Sequence, residues 1–259
     1  MFSYRATTAT RIQPASTALV TPEVLPSGIG QLDRMLPAGG FARGELSEIT
    51  GGRSCGKRAI ASALCAQAIA RGHSAVWIDG SGGFYPLLPL EFNIPLQRLI
   101  VVRPPASAGG DAPSSSSSSS LSRGGRARVP RFVSARHRGQ RCPPALKAAD
   151  ILMQAGGAAA LVIVDLPSRT VVPPSQLARL RLGAETSGVA VVFITERDAD
   201  RSPRRTESLG TFIGLQLCIR RVATSRVEVA IAKSKRGRMA HHTLLTLDEP
   251  HSLHLDSTV

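Results

Sequence analysis

Few aromatic residues, few acids and no patterned cysteines characterise this sequence, and each shortage narrows what the protein can be. Aromatic residues make up 4% and hydrophobic residues 42% of the 259 positions, enough for one sizeable α/β core with an appendage but tight for two domains. The four cysteines show no C-x-x-C spacing, which argues against a zinc knuckle or a disulfide framework. There is no apolar run of about eighteen residues and no N-terminal secretory signal, so we expect a soluble, cytoplasmic protein with no membrane partner.

Acidic residues are outnumbered, with 18 Asp and Glu against 32 Lys and Arg and a net charge of +14. An excess of this size favours a nucleic-acid partner, because lysine and arginine neutralise backbone phosphates. The charge is unevenly spread, since no acid occurs between Asp111 and Asp150. That interval carries eight of the basic residues: Arg123, Arg126, Arg128, Arg131, Arg136, Arg138, Arg141 and Lys147. The remainder of the chain is only moderately basic.

Composition divides the chain into an arm, an interrupted globular domain and a tail. Residues 1–24 are rich in Thr, Ala and Ser, which is typical of a flexible N-terminal arm, although a transit peptide would share this composition. Residues 25–248 are expected to form one nucleotide-binding domain, and residues 249–259 a C-terminal tail. Residues 106–144 interrupt the domain with a serine run and few aliphatic residues, so we expect disorder there. This insertion is interpreted as a basic tether for nucleic acid, a solvated linker, or the product of a reading-frame slip.

Hydrophobic patterning predicts an α/β fold with a mainly parallel sheet flanked by helices. Strands are predicted at 45–50, 74–79, 160–165 and 189–195, and the continuous apolar runs of the last three indicate strands covered on both faces. Helices are predicted at 31–36, 59–71, 145–154 and 176–185. Closely spaced strands at 214–220, 226–233 and 243–247 predict antiparallel additions at one edge, toward the C-terminal end.

The stretch from Gly51 to Arg58 matches a phosphate-binding loop at all but its final position. Glycines stand at the first and sixth places of G-x-x-x-x-G-K-[ST], and Lys57 at the seventh. Backbone N–H groups of the loop and the N-terminus of the following helix can surround a β-phosphate, while Lys57 reaches the β- and γ-phosphates. The alternative is a glycine-rich turn without a ligand. The predicted nucleotide-binding residues are Gly51, Gly52, Arg53, Ser54, Cys55, Gly56, Lys57 and Arg58.

Arg58 replaces the serine or threonine hydroxyl that normally binds Mg²⁺, and Ala59 supplies no substitute. Arginine is a permanent cation that does not ligate a metal, but it can lie beside the phosphates and replace part of the metal charge. That arrangement favours nucleotide binding over turnover. A carboxylate suited to orient Mg²⁺ follows four apolar residues at Asp165. The residues therefore predict a nucleotide ligand, with any Mg²⁺ held by Asp165 through water.

Several segments resemble the RecA recombinase family. Residues 25–51 are similar to the segment that precedes the phosphate loop in that family. The strands that lead to Asp79, to Asp165 and to Glu196 are similar to the family's later strands. The similarity covers residues 25–105 and 145–240. It implies a RecA-like fold, binding of ATP with Mg²⁺, contact with single-stranded DNA and self-association.

The departures from the family's pattern lie at its catalytic positions. The glutamate that activates the attacking water is matched by Ser81, so no general base is in place and no catalytic residue is assigned. The glutamine that senses the γ-phosphate is matched by Glu196. The second DNA-binding loop is short, and a solvated charged loop is the alternative for it. This loop holds the residues predicted to contact the DNA backbone: Arg197, Arg201, Arg204 and Arg205.

Residues 85–104 and 235–238 are also similar to the ImuA subgroup, whose members share the RecA fold, have eroded nucleotide sites and assist damage-tolerant DNA synthesis. Two hypotheses follow. The leading one is a DNA repair or recombination protein that binds ATP and single-stranded DNA, with weak or absent ATP hydrolysis. The other is a non-enzymatic accessory subunit that binds a DNA polymerase or other repair proteins in a translesion complex. A kinase or transporter-type nucleotidase, a third class, needs a substrate pocket that the sequence does not indicate.

Overall fold

In the computed structural model, a sheet of mainly parallel strands lies between two layers of helices. The structure describes residues 23–85, 94–105, 142–155, 159–168, 170–196, 209–236 and 242–246. Near the N-terminus, the short strands β1 (Val24–Leu25) and β2 (Phe41–Ala42) pair antiparallel, with helix α1 (Gly30–Met35) between them in the chain. The Asp33 carboxylate stabilises the turn between β1 and α1, because it accepts hydrogen bonds from the backbone N–H of Ser27 and of Gly28.

The main sheet begins with β3 (Leu46–Gly51), from which a loop leads into helix α2 (Lys57–Ala70). The other elements follow in chain order: β4 (Ala75–Asp79), β5 (Leu99–Val102), α3 (Pro144–Gln154), β6 (Leu161–Asp165), α4 (Pro174–Ser187), β7 (Ala190–Glu196), β8 (Ile213–Ala223), β9 (Arg226–Ser234) and β10 (His242–Thr246). Among the described residues, eight strands form this sheet in the order β10-β9-β8-β3-β7-β6-β4-β5.

The pairing of the strands confirms the predicted α/β class. Strands β8, β3, β7, β6, β4 and β5 are mutually parallel, and β9 and β10 add antiparallel neighbours beyond β8. The first of the three C-terminal strands therefore pairs parallel with β3 on one side and antiparallel with β9 on the other. The edge strand β5 is not predicted from the sequence, because it is short and only half-buried.

Both faces of the sheet are covered. One core, which contains Trp77 and Leu64, lies under α1 and α2. The other, which contains Phe193 and Leu146, lies under α3 and α4. Because helices cover both faces, the central strands β4, β6 and β7 carry continuous apolar runs rather than an alternating pattern, whereas β3 also buries polar residues. This packing fixes the positions at which β3, β6 and β7 end.

The boundaries of the elements differ from the predictions by a few residues. Helix α2 begins at Lys57, two residues before the predicted start, and α3 begins at Pro144, the last residue of the predicted insertion. Residues 1–22, 106–141 and 247–259 lie outside the described residues, so the division into arm, insertion and tail stays a prediction. No helix of the described chain is long and apolar enough to cross a bilayer.

Candidate functional site

The candidate site lies at the carboxyl end of β3, where the chain turns through the loop into α2. Gly51 is the last residue of β3, and a Cβ there would lie 2.2 Å from the carbonyl oxygen of Ile219 and 2.8 Å from Cys55 Sγ. Gly56 precedes α2 with φ 92°, in the left-handed region that a side chain disfavours. The first and sixth positions of the loop motif therefore each require glycine for a separate steric reason.

Lys57 begins α2 and folds its side chain back under the loop. Its Nζ donates hydrogen bonds to the carbonyl oxygens of Gly51, at 2.6 Å, and Gly52, at 2.5 Å. The residue is 7% exposed, and burial lowers the pKa of Lys57. A phosphate oxygen is a stronger acceptor than a peptide carbonyl, so a bound phosphate can replace one of these partners. The loop thus holds a buried ammonium group next to the free N–H groups of a helix N-terminus.

Arg58 points across the cleft to the end of β6. Its Nε lies 2.7 Å from Asp165 Oδ2, and its Nη2 lies 3.4 Å from Asp165 Oδ1. The same Nη2 donates to Ser81 Oγ at 3.0 Å. The guanidinium also lies next to Gly83, where an added Cβ would be 2.3 Å from Nη2. Arg58 therefore occupies one position predicted for a metal ligand and contacts the two others singled out in the sequence, Asp165 and Ser81.

The Asp165 carboxylate is almost fully buried, with 1% of its side chain exposed. Burial raises the pKa of Asp165, and the hydrogen bond and positive charge of Arg58 oppose that increase only in part. Removing Arg58 would leave this carboxylate without the cation that it faces. The Asp165 carboxylate therefore depends on the Arg58 guanidinium to carry a charge at this buried position.

A second ion pair joins the loop to β7. Arg53 Nε lies 2.7 Å from Glu196 Oε1, and the two side chains are 83% and 28% exposed. Glu196 stands at the position predicted to sense the γ-phosphate, and its carboxylate faces the loop arginine instead. Exposed ion pairs of this kind contribute about 0–1 kcal/mol to stability. A phosphate can therefore replace Glu196 as the partner of Arg53 at little cost in free energy.

Glu48 is a buried carboxylate under the loop that the sequence analysis did not identify. Glu48 on β3 is 2% exposed and accepts hydrogen bonds from Thr195 Oγ1 at 2.7 Å and Gln216 Nε2 at 2.6 Å. These contacts tie β3 to both of its neighbours just below the site. The available signal was a glutamate inside a central strand, where an acid is rare unless it is paired.

Asp79 ends β4 beside β6 and is fully buried at its side chain. It accepts hydrogen bonds from the backbone N–H of Phe84 and from Arg103 Nε, each at 3.2 Å. One carboxylate oxygen therefore holds the segment that follows β4, and the other holds Arg103, which follows β5. Asp79 supports the cleft and does not line it.

A cleft of about 260 Å³ opens between the loop and the ends of β6 and β7. Whole small-molecule ligands occupy pockets of roughly 300–1,000 Å³, so this cleft has the size of the phosphate part of a nucleotide. Three cations and two carboxylates give its lining a net charge of +1. The lining residues are Arg53, Ser54, Cys55, Gly56, Lys57, Arg58, Ala59, Asp165, Leu166, Ile194, Thr195 and Glu196.

The side chains of the cleft fit phosphates but not a magnesium ion. Mg²⁺ demands octahedral oxygen ligands, whereas the hydroxyl position of the motif is Arg58, and the Asp165 carboxylate faces its guanidinium. Nowhere in the described ranges do three or more His, Cys, Asp or Glu side chains form a group that could hold a metal. The metal role of Asp165 stays a prediction, and this geometry weighs against it.

The structure brings the eight predicted nucleotide-binding residues together with Asp165, Glu196 and Ser81. The residues predicted to contact DNA follow directly after Glu196 in the sequence but lie outside the described residues: Arg197, Arg201, Arg204 and Arg205. Six of the eight predicted nucleotide-binding residues line the cleft, as do Asp165 and Glu196, and the roles assigned to them stay predictions. The sequence analysis does not identify which of them pair.

Comparisons with known proteins relate the chain to recombinases in sequence and in fold. The model of the RecA N-terminal domain family matches residues 11–112. RecA of Thermus aquaticus is 35% identical over 82 residues, which cover 32% of this chain and 24% of that RecA. RecA of Heliobacterium modesticaldum is 33% identical over 94 residues, which cover 36% and 27%. The matches thus span about a quarter of the length of these RecA proteins.

The crystal structure of the RadB recombinase has the same fold. It superposes with a TM-score of 0.61 over 88% of this chain and 97% of that one, at 17% identity. The sequence similarity to RecA begins at residue 11, inside the predicted arm, and ends at residue 112, inside the predicted insertion. The predicted likeness to the ImuA subgroup stays a prediction. The chain is therefore similar in sequence to the RecA N-terminal domain and has a RecA- and RadB-like fold.

Proposed function

We propose that this protein is a RecA-like DNA recombination or repair protein that binds ATP and single-stranded DNA and hydrolyses ATP weakly or not at all. One observation carries the proposal. The phosphate loop has its two required glycines and its buried Lys57, while Arg58 spans the positions where metal and general base act in the family.

Nucleotide binding uses groups that the cleft already holds in place. The loop N–H groups and Lys57 would hold the β- and γ-phosphates, and Arg53 and Arg58 lie within the same cleft. Leu166 and Ile194 line its inner side. The nucleoside would lie outside the cleft, since the enclosed volume suits only the phosphates.

Among the described residues that line the cleft, no carboxylate is free of an arginine partner to activate water. The Ser81 hydroxyl accepts hydrogen bonds from Arg58 and from the backbone N–H of Gly83, at 3.1 Å. The Glu196 carboxylate faces Arg53, and the Asp165 carboxylate faces Arg58. General-base catalysis typically contributes about 10²–10⁴-fold, so its loss alone predicts very slow turnover.

DNA binding rests on charge and on the likeness to recombinases. The net charge of +14 favours a polyanionic partner. The arginine-rich segment that follows Glu196 would contact phosphates beside the nucleotide. Binding of this kind weakens steeply as salt increases, because each contact releases counterions.

The test compares native protein with Lys57→Ala for ATP binding and for phosphate release, with and without single-stranded DNA. We expect ATP binding that is lost in Lys57→Ala, and little phosphate release in either protein. Lys147→Ala, which changes an exposed lysine on α3, is the control and should bind ATP normally. Rapid DNA-stimulated turnover would contradict slow hydrolysis, and absent ATP binding would refute the nucleotide site. Tight association with a DNA polymerase without DNA binding would support the accessory subunit instead.

A further inference from the structure

The position of Arg58 bears on which form of the nucleotide the cleft accepts. In the described structure its guanidinium is fixed by Asp165, by Ser81 and by packing on Gly83. These three contacts come from two different strand ends, β4 and β6. The side chain is still 40% exposed and lines the cleft, so part of it borders the space where phosphates would lie.

The charges of the cleft explain what this cation does. With Arg58, three cations face two carboxylates, and the lining carries a charge of +1. Without it, the lining would be neutral, and the buried Asp165 carboxylate would face the phosphates directly. Like charges at such short range repel strongly in a partly buried site. Phosphate binding therefore needs a cation next to Asp165.

We infer that Arg58 is that cation and that the site binds nucleoside triphosphate without a divalent metal. This inference rests on the proposed nucleotide binding and specifies that the triphosphate binds free of a divalent metal. The guanidinium donates to Asp165 through Nε and Nη2, and its exposed side donates to a phosphate oxygen. A planar guanidinium has five N–H donors and can serve both partners at once.

The alternative is that Arg58 only neutralises Asp165 for the sake of the fold. The two roles differ in a measurable way, because a purely structural pair does not change the metal dependence of ATP binding. Substituting threonine at position 58 separates them. It restores the hydroxyl of the loop motif and leaves Asp165 free to approach a metal.

The experiment is titration calorimetry of ATP into the full chain, once in excess EDTA and once in excess MgCl₂. We expect the native protein to bind ATP with similar affinity in both solutions. Arg58→Thr should lose roughly tenfold or more in EDTA, the equivalent of a lost charge-assisted hydrogen bond, and recover at least part of that loss in MgCl₂.

Asp165→Asn is the matched second variant. It removes the repelling charge and frees Arg58, so it should bind ATP in EDTA more tightly than the native protein does. It also avoids a buried unpaired carboxylate, so it reports on the inference even if Arg58→Thr folds poorly. Thermal unfolding without ATP checks that each variant is folded.

Each remaining result counts against the inference. Native binding that requires MgCl₂ would overturn metal-free binding while leaving the proposed ATP site intact. Weaker binding by Asp165→Asn in EDTA would show that the carboxylate assists binding. Absence of ATP binding in both solutions would overturn the proposed function and this inference together.

Discussion

Arg58→Ala tests how strongly the fold depends on a cation beside Asp165. Removing one partner of a fully buried ion pair costs about 3–5 kcal/mol, because the other charge stays buried and unpaired. The Asp165 side chain is 1% exposed but that of Arg58 is 40% exposed, so solvent screens part of the interaction. We therefore expect a loss of about 2 kcal/mol at neutral pH. For a domain of this size that lowers Tm by about 4–8 °C.

The pH dependence of this loss follows from the pKa of Asp165. Burial raises that pKa above 3.8 in the native fold, and removal of Arg58 raises it further. A carboxyl with a raised pKa favours the folded state at low pH and disfavours it as the pH rises through that pKa. The difference between the native protein and Arg58→Ala should therefore be largest at neutral pH and shrink as the carboxyl becomes protonated.

The assay is thermal unfolding of both proteins at pH 7 and at about pH 5, with Arg58→Ala/Asp165→Asn as a third protein. The double variant should recover most of the lost stability at pH 7, because no buried charge is left unpaired. An equal loss at both pH values, with no rescue by asparagine, would refute the electrostatic reasoning. Arg58 would then stabilise the fold through its packing on Gly83.

Two further substitutions test the frame around the loop. Glu48→Ala should cost about 3 kcal/mol in chemical denaturation, because the half-buried Thr195 on β7 and the buried Gln216 on β8 lose their hydrogen-bond acceptor. Glu228→Ala, in an exposed pair on β9, should stay within about 1 kcal/mol, and equal losses would contradict the role of burial. Gly51→Ala should cost at least about 2 kcal/mol, since its Cβ would overlap a backbone carbonyl. Gly82→Ala meets open space and should cost only about 1 kcal/mol for its positive φ, so a smaller loss for Gly51→Ala would argue against the overlap.

The sequence by itself determined the α/β class and the location of the phosphate loop. Both depend on local signals, namely unbroken apolar runs for doubly covered strands and the glycine spacing between a strand and a helix. Asp165 is predicted from the apolar run that it ends, whereas Ser81 and Glu196 come from the resemblance to the RecA family. The sequence analysis did not find the edge strand β5 or the role of Glu48, for which the local pattern is short or contrary to expectation.

Only the tertiary structure decided which charges meet. Arg58 and Asp165 are 107 positions apart in the chain, and Arg53 and Glu196 are 143 apart. Their contacts depend on the parallel register that brings the ends of β3, β6 and β7 to one edge of the sheet. That register cannot be predicted from composition or motif spacing, because it results from long-range packing of the two cores. The sequence therefore determined that Arg58 cannot ligate a metal, and the fold decided that it lies against Asp165 instead.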